Sequence, residues 1–254
     1  MISVPIIVFN AGQANVFMSH QRTIDTLLCL PHEDSARTEM IDEVRRIYAE
    51  DPSILAQIED MNQTYNSNSA LQWYTRSSFL FRLINQALRF SNVELMFKLR
   101  YFLIDLYAQL DEIHRQTIHL SRDPPFAKLY RGQSMSRKEF SSFEQLIGRT
   151  ISISTFFSTT ASLQIALLFA NATPTDDEFL SVLFCIETNH GLVNQRPYGN
   201  ISQFSHYKDE EEVLFAMGSL FTIQKIEELD RTNPLPVIYL KMIDPSELNG
   251  SFVL

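Results

Sequence analysis

Residues 206–221 read HYKDEEEVLFAMGSLF, so three consecutive carboxylates, Glu210, Glu211 and Glu212, run straight into an apolar segment. In an extended strand, side chains alternate between faces. Glu210 and Glu212 then share one face, roughly 7 Å apart at about 3.3 Å of rise per residue. Glu211 falls on the other face. Two carboxylates at that separation suit two separate jobs on one substrate, provided that face is an open cleft. The bland alternative is a solvated strand end. The segment alone leaves both open.

Two further stretches bear on the choice. In KLYRGQSMSRKEF, Arg131 ends a short apolar run and is followed by Gly132 and Gln133. A guanidinium aimed from a rigid strand can hold phosphate oxygens with its planar fork of donors. Gly132 would let backbone come close to a ligand, but an ordinary edge-strand arginine fits the same residues. In ISISTFFSTTASLQIALLFA, a strand runs into Ser158, Thr159 and Thr160, and a helix follows with Ala161, Ile165, Leu168 and Phe169. Here the bland reading is helix capping by a hydroxyl. His114 and His119 do not share a helical face well, which argues against a metal site. Cys29 and Cys185 form neither a disulfide framework nor a CxxC pattern, and Cys185, inside SVLFCIE, reads as a buried thiol.

These residues need elements to hold them. Residues 36–120 read as helices. ARTEMIDEVRRIYAE places Met40, Ile41, Val44 and Ile47 at helical spacing and stops before Asp51-Pro52. Pro52 then opens a second helix. Phe79, Leu83, Ala87 and Phe90 form a stripe, and one long amphipathic helix follows through Leu95, Leu99, Phe102, Leu106 and Leu110. After Asp123-Pro124-Pro125 the texture changes to short strands: AKLYRG, TISIST, FLSVLFCIET, EEVLFAMG, SLFTIQKI and LPVIYLKM. VLF-AMGS-LFTI reads as a hairpin. The expected class is α+β, helices first and then a mostly antiparallel sheet. The division is an unplaced extension over 1–35, a helical part over 36–120 and a β-rich core over 121–254.

The totals exclude several functions. The chain has 254 residues, 45 % of them apolar with 19 Phe, which suffices for a sizeable core. There are only 7 Gly and neither a GxGxxG nor a GxxxxGK[ST] pattern, which argues against a P-loop or a dinucleotide fold of that kind. A net charge of −9 without a concentrated basic run disfavours nucleic acid as partner. The start, MISVPIIVFNAG, lacks a positively charged lead and reads as a strand rather than a secretory signal. No stretch of about 18 apolar residues is present, so no membrane span is expected and a cytoplasmic location is.

Taken in order, Tyr130-Arg131-Gly132, then Ser158-Thr159-Thr160, then Glu210-Glu211-Glu212 resembles the arginine-specific mono-ADP-ribosyltransferases, whose R-S-E signature is an arginine on a YRG-like strand, an STS-like triplet and an ExE. EVLF after the ExE, Gly218 to Phe221, Trp73-Tyr74-Thr75 and the LINQALR helix are also similar to the family. The resemblance covers about residues 70–245. It departs at Thr160, where the family has Ser, and in lacking the cysteine pairs of the secreted vertebrate-type members.

The resemblance implies a two-sheet core with a cleft for NAD, which serves as co-substrate without a metal. It implies transfer of ADP-ribose to arginine side chains of an acceptor protein, with release of nicotinamide. Breaking that glycosidic bond builds positive charge on the ribose, and Glu212 would stabilise it. Ser158 would position Glu212, and Arg131 would hold the phosphates. Gly132, Gln133 and Thr159 would border the cofactor. Phe169 would stack on nicotinamide, unless it is core. Tyr74 and Asn85 would touch the nucleotide from the helical part. Glu210 would receive the acceptor guanidinium, with Phe204 and Tyr207 in the preceding loop as acceptor contacts, and Glu211 would be dispensable. An NAD glycohydrolase of the same fold and a catalytically silent binding module are the alternatives.

Overall fold

The computed structural model describes residues 6–8, 14–76, 79–120, 126–171, 177–188, 195–206, 208–230 and 234–250. The helical part comprises α1 (Ala14–Leu28), α2 (Asp34–Ile47), α3 (Pro52–Thr64), α4 (Ala70–Thr75), α5 (Phe79–Arg89), α6 (Val93–Lys98) and α7 (Arg100–Leu120). Local chemistry sets several of its boundaries. Asp51 caps α3 by accepting from the N–H groups of Ser53 and Ile54, both at 3.0 Å, with Pro52 in the first turn. Arg45 and Arg46 close α2, where cations complement the helix dipole.

The single long helix expected after Asn92 is two. Buried Arg100 donates to the Phe97 carbonyl at 2.9 Å and to Glu39 at 2.7 Å. Beside these contacts the helix is interrupted at Leu99. Phe90, expected on the buried stripe of α5, lies one residue beyond the helix and is 70 % exposed, while Phe79, Leu83 and Ala87 are buried.

The β-rich part holds β2 (Lys128–Ser136), α8 (Arg137–Glu144), β3 (Thr150–Ile153), β4 (Phe157–Thr160), α9 (Leu163–Asn171), β5 (Phe179–Glu187), β6 (Tyr198–Asn200), β7 (Glu212–Phe215), β8 (Ser219–Glu228) and β9 (Pro236–Met242). With β1 (Ile6–Val8) they align as β1-β3-β8-β9-β5-β2-β4-β7-β6. All pairings are antiparallel except β5–β9. The class is therefore α+β with a mostly antiparallel sheet. β2 and β5 share nine registered pairs, whereas β2 meets β4 at the single pair Tyr130–Thr160. One hydrogen-bonded order thus contains two leaves, joined at one residue pair.

The expected hairpin between β7 and β8 does not form. β7 pairs with β4 and β6, and β8 pairs with β3 and β9. The chain changes leaf at residues 216–218. Gly218 takes φ +84, a left-handed conformation that suits glycine, and its N–H donates to the Ile153 carbonyl at 2.7 Å. Helix α1 fastens this crossing: Gln21 Nε2 donates to Ser152 Oγ at 3.0 Å and to the Gly218 carbonyl at 3.1 Å. Arg196 in turn donates to Gln21 Oε1 at 2.8 Å and pairs with Asp25 at 2.7 Å.

One core lies among the helices and the near edge of the small leaf, including Ile24, Trp73, Leu106, Leu214 and Met217. A second, rich in phenylalanine, fills the space within the sheet around Phe157, Phe184, Phe215 and Phe221. Among the described residues, no helix is long and apolar enough to cross a membrane.

Candidate active site

Where the two leaves meet, a cleft of about 290 Å³ opens between β2, β4, β7, helix α9 and the helical part. Glu212 is the first residue of β7, in register with Thr160, and is 8 % exposed. Burial raises its pKa above the usual carboxylate value, opposed by hydrogen bonds from the Ser158 and Ser205 hydroxyls and by the Arg131 charge. Ser205 Oγ lies 3.2 Å from Glu212 Oε2.

Glu210 also lines the cleft, although not by strand alternation. It ends a short 3-10 helix (Lys208–Glu210), and Glu211 follows with φ +46 before the strand begins. That left-handed residue turns its own side chain to solvent while its neighbours both border the cleft. Burial and then the Glu212 charge push the Glu210 pKa up. The two acids therefore differ in setting: Glu212 is locked into the ladder, and Glu210 is half-exposed on a turn.

Arg131 sits within β2, not at its end, because the strand continues to Ser136. Its Nε donates to Gln133 Oε1 at 2.9 Å, its Nη1 donates to the Ser158 carbonyl at 2.7 Å, and its guanidinium lies 5.2 Å from the Phe157 ring centre. These contacts fix the plane of the fork, and Arg131 lines the cleft.

Gly132 has a structural reason for being glycine. A Cβ there would stand 1.8 Å from the Ala166 carbonyl oxygen and 2.5 Å from the Ala170 nitrogen. Helix α9 lies directly on the strand, so its buried face is Ala166 and Ala170, while Leu168 and Phe169, read from the sequence as part of its stripe, are 73 % and 45 % exposed. Phe169 consequently reaches the rim of the cleft.

The hydroxyl triplet divides its labour. Thr160 Oγ1 accepts from the Ser162 N–H at 3.1 Å and shapes the turn into α9, while the capping role falls to Ser162, whose Oγ accepts from the Ile165 N–H at 3.4 Å. Thr159 Oγ1 donates to the Val213 carbonyl at 2.7 Å and ties β4 to β7. Ser158 is left to Glu212. Tyr74 lines the cleft, 2 % exposed, with its pKa raised chiefly by burial. Asn85 lies behind it: its Nδ2 donates to the Phe81 carbonyl at 2.8 Å and to the Tyr74 hydroxyl at 3.3 Å, so it supports the wall rather than forming it. Phe204 is 39 % exposed, and Tyr207 falls outside the described residues.

Sequence reasoning gave no role to Ser205 or to Thr75, whose Oγ1 accepts from the His206 N–H at 3.0 Å and moors the loop to α4. Neither belongs to a periodic pattern, and both act through contacts between segments distant in sequence. Among the described residues, no group of three or more His, Cys, Asp or Glu could hold a metal ion. His114 Nδ1 lies 2.8 Å from the Tyr198 carbonyl, and the His119 side chain lies outside the described residues.

Helical part, two-leaved sheet and interleaf cleft together define the ADP-ribosyltransferase fold. The chain is similar to the ADP-ribosyltransferase HopU1 of Pseudomonas syringae pv. Tomato DC3000, with TM-score 0.53 and 21% identity over 80% of this chain and 87% of that one. It is similar to Vis toxin, an ADP-ribosyltransferase from Vibrio splendidus, with TM-score 0.50 and 20% identity over 87% and 91%. The Clostridium limosum C3 exoenzyme matches with TM-score 0.50 and 16% identity over 80% and 94%. No protein-family model and no curated protein sequence matches the chain.

Proposed function

We propose that the protein transfers ADP-ribose from NAD to an arginine side chain of an acceptor protein, with nicotinamide as the leaving group. One observation carries this reading: a buried carboxylate held by two serine hydroxyls, Glu212, stands beside a half-buried carboxylate on a turn, Glu210, in the cleft that Arg131 also lines. The residues suit NAD as co-substrate. The Arg131 fork offers charged donors to a pyrophosphate, and the Phe169 ring at the rim offers a stacking face.

The bond that breaks joins the ribose to nicotinamide, and the bond that forms joins the same carbon to the acceptor nitrogen. Glu212, fixed by Ser158 and Ser205, stabilises the positive charge that develops on the ribose and need not move to do so. Glu210 pairs with the incoming guanidinium and takes the proton it loses. Its raised pKa favours that uptake.

Nicotinamide release from NAD, measured with and without a guanidino acceptor such as agmatine, tests the reading. Wild-type release that the acceptor stimulates, lost in Glu212→Gln and reduced to the acceptor-independent rate in Glu210→Gln, supports it. Release indifferent to the acceptor would make the protein an NAD glycohydrolase. No release and no NAD binding would overturn the enzymatic reading.

A further inference from the structure

Gln133 is 2 % exposed, borders the cleft, and uses only one end of its amide. Its Oε1 accepts from Arg131 Nε at 2.9 Å. An arginine Nε is always a donor, so this contact fixes which end of the amide is oxygen and directs the NH2 group the other way. That Nε2 is buried and has no hydrogen-bond partner. An orphaned buried donor is costly to maintain, and an aliphatic side chain of similar length would fill the space without the cost. Gln133 is two residues from Arg131 on the same strand, so both project from one face, about 6.6 Å apart along the chain.

Resting on the NAD reading above, we infer that the Gln133 amide is a ligand-binding donor: Oε1 locks the Arg131 fork while Nε2 donates to an uncharged or phosphoryl oxygen of the bound dinucleotide, one step along β2 from Arg131. The acceptor belongs either to the nicotinamide carboxamide or to the ADP-ribose half. A neutral donor here grips an oxygen without adding a second cation beside Glu212.

Titration calorimetry with NAD and with ADP-ribose, on wild type, Gln133→Met and Gln133→Glu, separates the outcomes, with thermal melting confirming that each variant is folded. Gln133→Met removes donor and lock. Gln133→Glu keeps an acceptor for Arg131 Nε but, once ionised, has no donor. Both should bind NAD about tenfold more weakly than wild type at about pH 7.5. Relative to wild type at the same pH, the Gln133→Glu deficit should persist at about pH 5, because the Arg131 guanidinium beside it keeps the introduced carboxylate ionised and without a donor. Loss confined to NAD places the acceptor on nicotinamide; parallel loss for ADP-ribose places it on the other half. Wild-type affinity in Gln133→Met, or in Gln133→Glu at either pH, overturns the inference and leaves Gln133 as packing or as an arginine lock alone. Wild type binding neither ligand would instead overturn the NAD reading, and the inference with it.

Discussion

Ser205 donates to Glu212, seven positions further along the chain, and Glu211 immediately before that carboxylate takes a left-handed conformation. The carboxylate is thereby held from both sides, by Ser158 from the neighbouring strand and by Ser205 from the loop. A hydrogen bond to a charged group contributes about 1.5–3 kcal/mol. Ser205→Ala should lower kcat for nicotinamide release by roughly tenfold or more, with a smaller change in KM for NAD. It should also move the acid limb of the rate profile to higher pH, because a contact that favours the ionised form is gone. An unchanged profile would mean that the hydroxyl does not act on Glu212.

Glu212→Gln should reduce nicotinamide release by about 10²–10³-fold, the usual effect of removing a preorganised electrostatic partner. The same change should stabilise the fold at neutral pH. Burial raises the pKa of Glu212 above its ordinary 4.5, so between 4.5 and the raised value the folded chain keeps a proton that the unfolded chain has released. That contribution is complete below 4.5 and disappears as pH rises through the folded-state value. Wild-type Tm should therefore fall across this interval more than that of Glu212→Gln. Parallel Tm curves would contradict a buried, destabilised carboxylate.

Gly132→Ala should cost at least about 3 kcal/mol, since the added methyl group meets helix backbone at 1.8 Å and not a yielding side chain. Chemical denaturation measures this directly. Wild-type stability would mean that α9 can lift from β2 without penalty.

Glu211 has an exposed side chain but φ +46. Glu211→Gly should be neutral or slightly stabilising, while Glu211→Val should cost about 1–2 kcal/mol, the penalty of left-handed backbone for an L-residue, greater where the side chain is branched. If both variants behave alike in thermal melts, the turn relaxes out of that conformation.

How much of this was legible in the sequence follows from what each signal depends on. Helices α2, α3 and α5 and strands β2, β3, β5, β7, β8 and β9 announced themselves through periodicity, a local property, whereas the three-residue β6 did not. The break at Leu99 did not, since it lies beside Arg100, whose partner Glu39 is sixty-one positions away. The missing β7–β8 hairpin was invisible for the same reason: the turn residues permit it, but β4 and β3 compete for the two strands. At the site, Arg131, Ser158, Glu210 and Glu212 were found as chemistry-bearing types in a recognisable order, and all four border one cleft. Ser205 carries no such mark, since a serine in a polar loop looks like any other.

The clasp between α1 and the leaf crossing also governs when the fold can be completed. Gln21 waits for partners 131 and 197 positions downstream, and for Arg196, 175 positions away. At a ribosomal pace of about 5–20 residues per second, Gly218 follows Gln21 by roughly ten to forty seconds. Throughout that interval the inward face of α1, with Ile24 and Leu27 destined for the core, has no native surface at the crossing to cover it. Contacts of such long range make for slow folding. The cleft is thus a late product of synthesis, assembled only after most of the chain has emerged.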